Sequence, residues 1–260
     1  MIYYFSCTGN TEWAARQQAE ATGEDLVWIP DAMKERRKVV LKPDERVGVC
    51  FPVHGWRPPK NVREFCRSLC ISNPEGHYAF ALCTAGDNIG ETMRLLKEDL
   101  NESGVELQAL CSLVMPESYI GLPFMDVDKP EKERRKIKEA QLRLNRFIGI
   151  VKDKKTWQQP LTVGNWPKTN TRVIGSYFVN RLVTDKHFRV DADRCIGCGK
   201  CQKVCPTGNV GIGDDRLPHW SHDGSCLTCF ACYHYCPERA ISFGHRTDGK
   251  GQYYFGRRHS

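Results

Sequence analysis

Eight cysteines in two identical runs constrain this chain more than any other feature. Each run has the form Cys-x-x-Cys-x-x-Cys-x-x-x-Cys-Pro, and the runs occupy residues 195–206 and 226–237. The other six of the 14 cysteines are scattered through the first 111 residues. Secreted domains use cysteines as a disulfide framework, whereas clustered cysteines in an intracellular chain indicate metal or redox chemistry. We therefore expect the C-terminal part to bind metal.

The N-terminal residues and the lengths of the apolar runs indicate in which cellular compartment the protein is expected. Met1 leads directly into a short apolar run at 2–5, with no preceding basic segment, so no signal peptide is predicted. No apolar run approaches the roughly 18–20 residues that span a bilayer. We expect a cytoplasmic protein without a membrane span.

The spacing of the cysteines distinguishes between two kinds of metal site. Zinc also uses Cys-x-x-Cys pairs, but it needs neither a third cysteine at the same spacing nor the Cys-Pro step. Three thiolates at two-residue spacing, with a fourth further along, are typical of iron–sulfur clusters. Because the complete pattern occurs twice, the sequence predicts two 4Fe–4S clusters.

The two runs resemble those of bacterial two-cluster ferredoxins. In that family the fourth cysteine of each run ligates the cluster of the other run. The resemblance therefore implies two crossed ligand sets, which we call site I and site II. Site I is Cys195, Cys198, Cys201 and Cys236, and site II is Cys226, Cys229, Cys232 and Cys205.

The clusters also change how the net charge of +7 is interpreted. Residues 161–260 carry 14 Lys and Arg against 8 Asp and Glu, a net of +6. Two oxidised clusters with their thiolates add about −4 in total. The basic surplus is thus largely offset, and nucleic acid is not expected as a partner.

A second motif follows the first apolar run. Residues 2–5 read as a buried strand, and a helical stretch then runs to Gly23. A hydroxyl-rich turn between strand and helix presents amides and the positive end of the helix dipole to an anion. The turn matches neither the Walker A loop nor the dinucleotide fingerprint; a simple Ser/Thr helix cap is the alternative. The predicted phosphate site comprises Ser6, Cys7, Thr8, Gly9, Asn10 and Thr11.

The turn Ser-x-Thr-Gly-Asn-Thr resembles the FMN phosphate loop of flavodoxins, and the following sequence is compatible with that fold. Strands are predicted at 25–29, 46–51, 78–83 and 107–115, alternating mostly with helices at 61–69, 90–104 and 131–155. Such alternation implies a parallel, doubly wound sheet.

The chain as a whole resembles flavodoxin-like proteins fused to a bacterial-type ferredoxin. We expect an α/β doubly wound flavodoxin-like domain over 1–155 and a small α+β ferredoxin-like domain over 187–260. Residues 156–186 are predicted to be a linker, irregular over 156–169 and helical over 174–183.

The resemblance places FMN at the carboxyl ends of the strands, beside the phosphate loop. Trp56 is expected to stack on the flavin, and Tyr119 is a further candidate. No long acidic, aromatic loop follows strand four, so the ferredoxin domain or a partner is left to cover the flavin. The predicted contacts after strands three and four are Pro52, Val53, His54, Gly55, Trp56, Thr84, Ala85, Gly86 and Asp87.

These features predict electron transfer between two 4Fe–4S clusters and FMN in one chain, with a redox protein as donor or acceptor. Clusters carry single electrons and flavin one or two. The alternative is an FMN-dependent reductase of a small organic substrate, fed through the ferredoxin domain. No side chain is singled out as catalytic. Direct use of NAD(P)H is not expected, because no nicotinamide-binding fingerprint is present.

Overall fold

The computed structural model describes residues 1–35, 38–156 and 160–257. Five strands rich in buried β-branched and aromatic residues form one sheet. Their order is β2-β1-β3-β4-β5, and every neighbouring pair is parallel. This is the flavodoxin-like order, so the predicted fold of the first domain is confirmed. The strands are β1 (Ile2–Tyr4), β2 (Leu26–Trp28), β3 (Val47–Pro52), β4 (Ala79–Ala85) and β5 (Leu107–Val114).

Helices cover both faces of this sheet. Small and apolar residues of α1 and α5 pack on one face, and residues of α2, α3 and α4 pack on the other. Two separate apolar cores therefore hold the sheet between helical layers. Among the described residues, no helix combines the length and apolar character needed to cross a membrane. The helices are α1 (Asn10–Thr22), α2 (Ile29–Glu35), α3 (Lys60–Ser68), α4 (Thr92–Asn101) and α5 (Pro130–Lys152).

Helix α2 is absent from the sequence-based prediction, which assigns 25–29 to a strand. The strand ends at Trp28, and Ile29 begins a helix with Pro30 in its first turn. Proline is favoured at the start of a helix because its missing N–H would lack a partner there in any case. The prediction for Ile29 is wrong: apolar residues continue across the junction, so hydrophobicity alone does not mark it.

The C-terminal domain is α+β, as predicted. Strand β6 (Phe188–Val190) pairs antiparallel with β9 (Ile241–Phe243), and β7 (Val210–Ile212) pairs antiparallel with β8 (Pro218–Trp220). Two short helices, Lys200–Lys203 and Ala231–His234, lie within the two cysteine runs. Aromatic rings fill the small core; Phe188 and Trp220, for example, stack with centroids 5.4 Å apart.

Residues 167–182 are helical throughout and join the domains; we call them the bridging segment. Its turns are Pro167–Thr169, Asn170–Ile174, Gly175–Tyr177 and Phe178–Leu182, the second and fourth being π-helical. The predicted irregular stretch at 156–169 is therefore wrong from Pro167 onward, and residues 157–159 of it lie outside the described residues. The proline that suggested a break stands at the first helical position, where it favours helix.

The last described residues return to the phosphate loop. Tyr253 donates its hydroxyl to Asn10 Oδ1 at 2.6 Å, and the Phe255 amide donates to the Thr8 carbonyl at 2.8 Å. A second link joins His234 Nε2 to the Ser118 carbonyl at 2.7 Å. These buried hydrogen bonds fix the ferredoxin-like domain against the carboxyl edge of the sheet.

Candidate functional site

The carboxyl ends of β1, β3 and β4 open into one cavity of about 560 Å³. Its volume lies in the range of sites for small ligands and cofactors. Every residue predicted to contact flavin lines this cavity except Gly9: Ser6, Cys7, Thr8, Asn10, Thr11, Pro52, Val53, His54, Gly55, Trp56, Thr84, Ala85, Gly86 and Asp87.

Gly9 faces away from the cavity. It precedes α1 with φ of 91°, a left-handed conformation that favours glycine. A Cβ at this position would lie 3.1 Å from Phe255 Cβ. The glycine is therefore needed for the turn and for the close approach of the C-terminal segment; its predicted role in the approach of a phosphate stays a prediction.

The phosphate loop contains a buried hydroxyl that lacks a protein partner. Ser6 Oγ is buried and makes no hydrogen bond within the described protein. Thr8 is also buried, and no side chain caps the amides at the start of α1. An orphaned buried hydroxyl calls for a bound group, and a phosphate supplies acceptors for hydroxyls and amides together. The loop thus fits the phosphate of FMN.

Two other side chains of the loop are already engaged. Asn10 donates from Nδ2 to the Pro116 carbonyl at 3.1 Å and accepts from Tyr253. Thr11 and Thr84 share a hydrogen bond of 2.8 Å between their hydroxyls. These residues therefore shape the loop with their side chains, and their backbone amides are the groups left for an anion.

The loop after β3 supplies a ring on either side of Gly55. Trp56 donates from Nε1 to Asn88 Oδ1 at 2.8 Å, which ties this loop to the loop after β4. Burial lowers the pKa of His54 to about 4, so its imidazole is neutral at physiological pH. The arrangement presents one fixed indole and one neutral imidazole to a planar ligand.

The loop after β5 forms a wall that the sequence analysis largely missed. Glu117 accepts amide hydrogen bonds from Ser118 (2.9 Å) and Tyr119 (2.8 Å), and burial raises its pKa. Tyr119 was a predicted candidate and does line the cavity. Glu117 and Ser118 could also have been predicted from the sequence. They follow β5, whose end meets the same sheet edge as the ends of β3 and β4.

The bridging segment provides the outer wall. Ile174, Tyr177, Phe178 and Leu182 line the cavity together with Phe124. Gly175 packs against the loop after β3, since a Cβ there would lie 2.2 Å from the Gly55 carbonyl oxygen. No motif marks these residues. The sequence therefore did not predict that the linker would cover the cavity, which lacks the long loop after strand four.

The structure brings the cysteines of site I together around a small cleft. Cys195, Cys198 and Cys201 line it with Cys236 from the second run, as the crossed pattern requires. Ala240 donates its amide to Cys236 Sγ at 3.3 Å, a contact of the kind that tunes cluster potentials. Cys198 is exposed, so this site lies at the surface.

Site II is more enclosed. Burial and the neighbouring thiols, Cys205 among them, raise the pKa of Cys232 well above its usual range, and that of Cys226 to about 12. Thr228 donates its amide to Cys226 Sγ at 3.3 Å. Crowded thiols resist ionisation until a cation offsets their charge, so this donor set suits a positively charged iron–sulfur core.

The two sites hold their thiols in a looser array than a mononuclear metal uses. In the described parts of the chain, no three His, Cys, Asp or Glu side chains surround one point as ligands of a single ion. A cubane cluster binds each thiolate through a different iron atom.

Site II also contributes to the large cavity. Leu227, Thr228 and Cys229 line it together with the phosphate loop. The neighbouring Cys229 thiol and burial raise the pKa of Cys7 well above its usual range. A cluster at site II and a ligand in the cavity would therefore share a wall.

Comparison with known proteins supports the assignment of the C-terminal domain. Residues 187–237 and, overlapping them, 154–209 match families described as 4Fe-4S dicluster domain. An uncharacterised ferredoxin of Methanocaldococcus jannaschii is 39% identical over 54 residues, which cover 20% of this chain and 70% of that protein. A ferredoxin-like protein encoded in the nif region of Trichormus variabilis is 36% identical over 45 residues, or 17% of this chain and 38% of that protein.

A solved structure is only loosely similar to this chain. The rubredoxin oxygen:oxidoreductase of Desulfovibrio gigas aligns with 58% of this chain and 36% of its own, at 18% identity and a TM-score of 0.32. The flavodoxin-like assignment rests on the strand order and not on this likeness.

Fold and sites together define a ferredoxin-type electron-transfer protein with an added flavodoxin-like domain. Through its C-terminal domain the chain belongs to the 4Fe–4S dicluster ferredoxins.

Proposed function

We propose that this chain is an intramolecular electron relay, with FMN in the large cavity and 4Fe–4S clusters at sites I and II. The observation that carries the proposal is the shared wall: the phosphate loop and Leu227–Cys229 line one cavity. The clusters supply one-electron transfer, and the bound flavin supplies both one- and two-electron chemistry.

The chain's own residues divide the work of binding the flavin. Ser6 and Thr8 hydroxyls and the first amides of α1 hold the phosphate. Trp56 and the bridging segment enclose the ring and exclude water from it. The neutral His54 adds no charge to the cavity, and desolvation keeps it neutral.

Electrons enter at site I under this proposal. Cys198 is exposed, and beside it Ile196 exposes 59% of its surface. This exposed part of site I leaves the site accessible to a donor or acceptor protein. Site II contributes Cys229 to the wall of the cavity, so under this proposal it passes electrons from site I to the flavin.

The proposal is tested with the anaerobically reconstituted full chain. We expect about eight iron atoms and one FMN per chain. A reduced small ferredoxin, too large to enter the cavity, should then reduce the flavin. Cys198→Ala removes a ligand of site I and should slow flavin reduction at least tenfold, with FMN content unchanged.

Cys70→Ala provides the matched control, because Cys70 is an exposed thiol just beyond α3. Its flavin should be reduced at the wild-type rate. Rapid NADPH oxidation by the isolated chain, unaffected by Cys198→Ala, would instead show that electrons enter at the flavin directly. Stoichiometric zinc without acid-labile sulfide would refute the cluster assignment.

One observation favours a second candidate, a flavin-dependent reductase of a small organic substrate. Phe124 and Tyr177 line the cavity yet expose 83% and 61% of their surfaces. An apolar rim of this kind leaves a way in for an apolar molecule. Saturable consumption of such a molecule by the reduced chain, abolished by substituting Tyr177 with Trp, would favour this function over the relay.

A further inference from the structure

Glu117 is a carboxyl group of the large cavity to which the proposed function assigns no role. It follows β5 and lines the cavity together with Gly86 of the loop after β4. Among the described residues no cation forms an ion pair with it, and the nearby Lys136 pairs with Asp128 instead. A carboxyl group in such a place needs hydrogen-bond donors, and a bound ligand can supply those that the protein does not.

The two oxygens of the Glu117 carboxyl group differ in their partners. Oε1 accepts hydrogen bonds from the amides of Ser118 at 2.9 Å and Tyr119 at 2.8 Å, which fix the orientation of the group. Oε2 accepts no hydrogen bond from the described residues. It lies against Gly86, where a Cβ would come within 2.1 Å of it. The oxygen without a partner is thus held beside a residue that lines the cavity.

Hydrogen bonds from two further elements hold this arrangement in place. The Glu117 amide donates to Asp128 Oδ2 at 3.0 Å. Lys136 of α5 donates from Nζ to the Gly86 carbonyl at 2.7 Å and also to Asp128 Oδ2. The loops after β4 and β5 are therefore tied together through α5, so the position of Oε2 is set before a ligand binds.

The chemistry of a flavin ring determines which of its atoms can pair with Oε2. Burial raises the pKa of Glu117, while the two amides and Lys136 oppose this effect, and a bound N–H donor favours the ionised form further. An ionised carboxylate only accepts hydrogen bonds. The oxidised isoalloxazine ring has a single N–H group, at its N3 atom, and its other polar ring atoms are acceptors. The ring atom that suits Oε2 is therefore N3.

We propose that Glu117 is a flavin-binding residue whose Oε2 accepts a hydrogen bond from the N3–H group of the ring. The inference rests on the proposed function, in which FMN occupies the large cavity. It gives the loop after β5 the recognition of the ring, whereas the loop after β1 holds the phosphate. Gly86 contributes by leaving room for the carboxylate.

The test compares FMN with its N3-methyl derivative, which has no N–H group at this position. Each flavin is titrated into the flavin-depleted full chain with reconstituted clusters, and binding is followed by the change in flavin fluorescence. We expect the wild type to bind FMN about tenfold to a hundredfold more tightly than the methylated flavin, as for other hydrogen bonds to charged groups.

Glu117→Gln keeps an oxygen for the two amides and places an NH₂ group at the position of Oε2. Its affinity for FMN should fall by about the same factor, and the two flavins should then bind nearly equally. Gly86→Ala leaves Glu117 intact but displaces its carboxylate, so it should also reduce the discrimination. Glu139→Gln, at an exposed glutamate of α5, is the matched control and should behave as the wild type.

Equal affinity of the wild type for both flavins would overturn the inference, whatever the variants do. A penalty for N3 methylation that is as large in Glu117→Gln as in the wild type would overturn it as well. Tight FMN binding without discrimination would refute the role of Glu117 and leave the proposed function standing. If the wild type binds neither flavin, the proposed function is refuted and the inference with it.

Discussion

Sites I and II are built from the same motif but have opposite surroundings. Site I has an exposed ligand, Cys198, and a wall made by the ferredoxin-like domain alone. Site II has no exposed ligand among its four cysteines, and it shares Cys229 with the wall of the large cavity. The cysteine pattern predicts that a cluster is bound at each site; the neighbouring domain determines which site faces solvent and which faces the large cavity.

The largest expected effect comes from removing the fourth ligand of each site. Cys205→Ser should damage site II, although Cys205 lies in the run of site I, because the fourth cysteine crosses over. Flavin reduction by a ferredoxin donor should then fall at least a hundredfold. Cys236→Ser should damage site I instead. EPR spectra of the two variants identify the cluster that is lost, and loss of site I in Cys205→Ser would refute the crossed assignment.

Gly9→Val should weaken flavin binding and leave both clusters in place. A β-branched residue strains the left-handed turn by about 1–3 kcal/mol and would crowd Phe255. We expect FMN affinity to fall roughly tenfold to a hundredfold while iron content stays constant. Gly149→Ala is the control, since a Cβ there meets nothing within 4 Å. Full flavin occupancy in Gly9→Val would show that the phosphate binds elsewhere.

Tyr253→Phe tests the docking that brings site II to the cavity. It removes the hydrogen bond to Asn10 and leaves a buried acceptor unpaired, which costs about 1–3 kcal/mol. The thermal unfolding midpoint should fall by several degrees. Tyr177→Phe, at an exposed tyrosine, should leave the midpoint unchanged. An equal fall in both variants would show that the effect is not specific to docking.

The smallest expected effect is a pH dependence from His54. Its pKa in the folded protein, about 4, lies below the ordinary 6.5, so the unfolded chain takes up the proton first. Its contribution to stability is complete above about pH 6.5 and declines as the pH falls toward 4. The midpoint should drop by a few degrees between pH 7.5 and 5.5, and by less in His54→Gln. Identical profiles would rule out His54 as the source.

Much of the fold followed from local signals in the sequence. Buried strands alternating with helices were sufficient for the parallel sheet, and the hydroxyl-rich turn marked the start of α1. The start of the bridging segment was missed because Pro167 and Gly164 suggest a break, whereas the helix predicted over 174–183 covers its second half. The close packing of Gly175 against Gly55 is visible only in three dimensions.

The composition of the candidate site was predictable only within each domain. The residues of the three loops follow from the rule that ligands bind at the carboxyl ends of parallel strands. Cys7 and Cys229 line the same cavity although they lie more than 200 positions apart in the sequence. This arrangement depends on how the domains dock, through contacts such as that of Tyr253 with Asn10. No sequence motif encodes those contacts.

The central claim is that site II, and not site I, adjoins the flavin. The direct measurement is the EPR relaxation of a one-electron-reduced flavin in the reconstituted chain, compared with Cys205→Ser and Cys236→Ser. A nearby paramagnetic cluster accelerates this relaxation steeply with decreasing distance. We expect fast relaxation in the wild type and in Cys236→Ser, and slow relaxation in Cys205→Ser. Fast relaxation that survives Cys205→Ser and disappears in Cys236→Ser would contradict the claim.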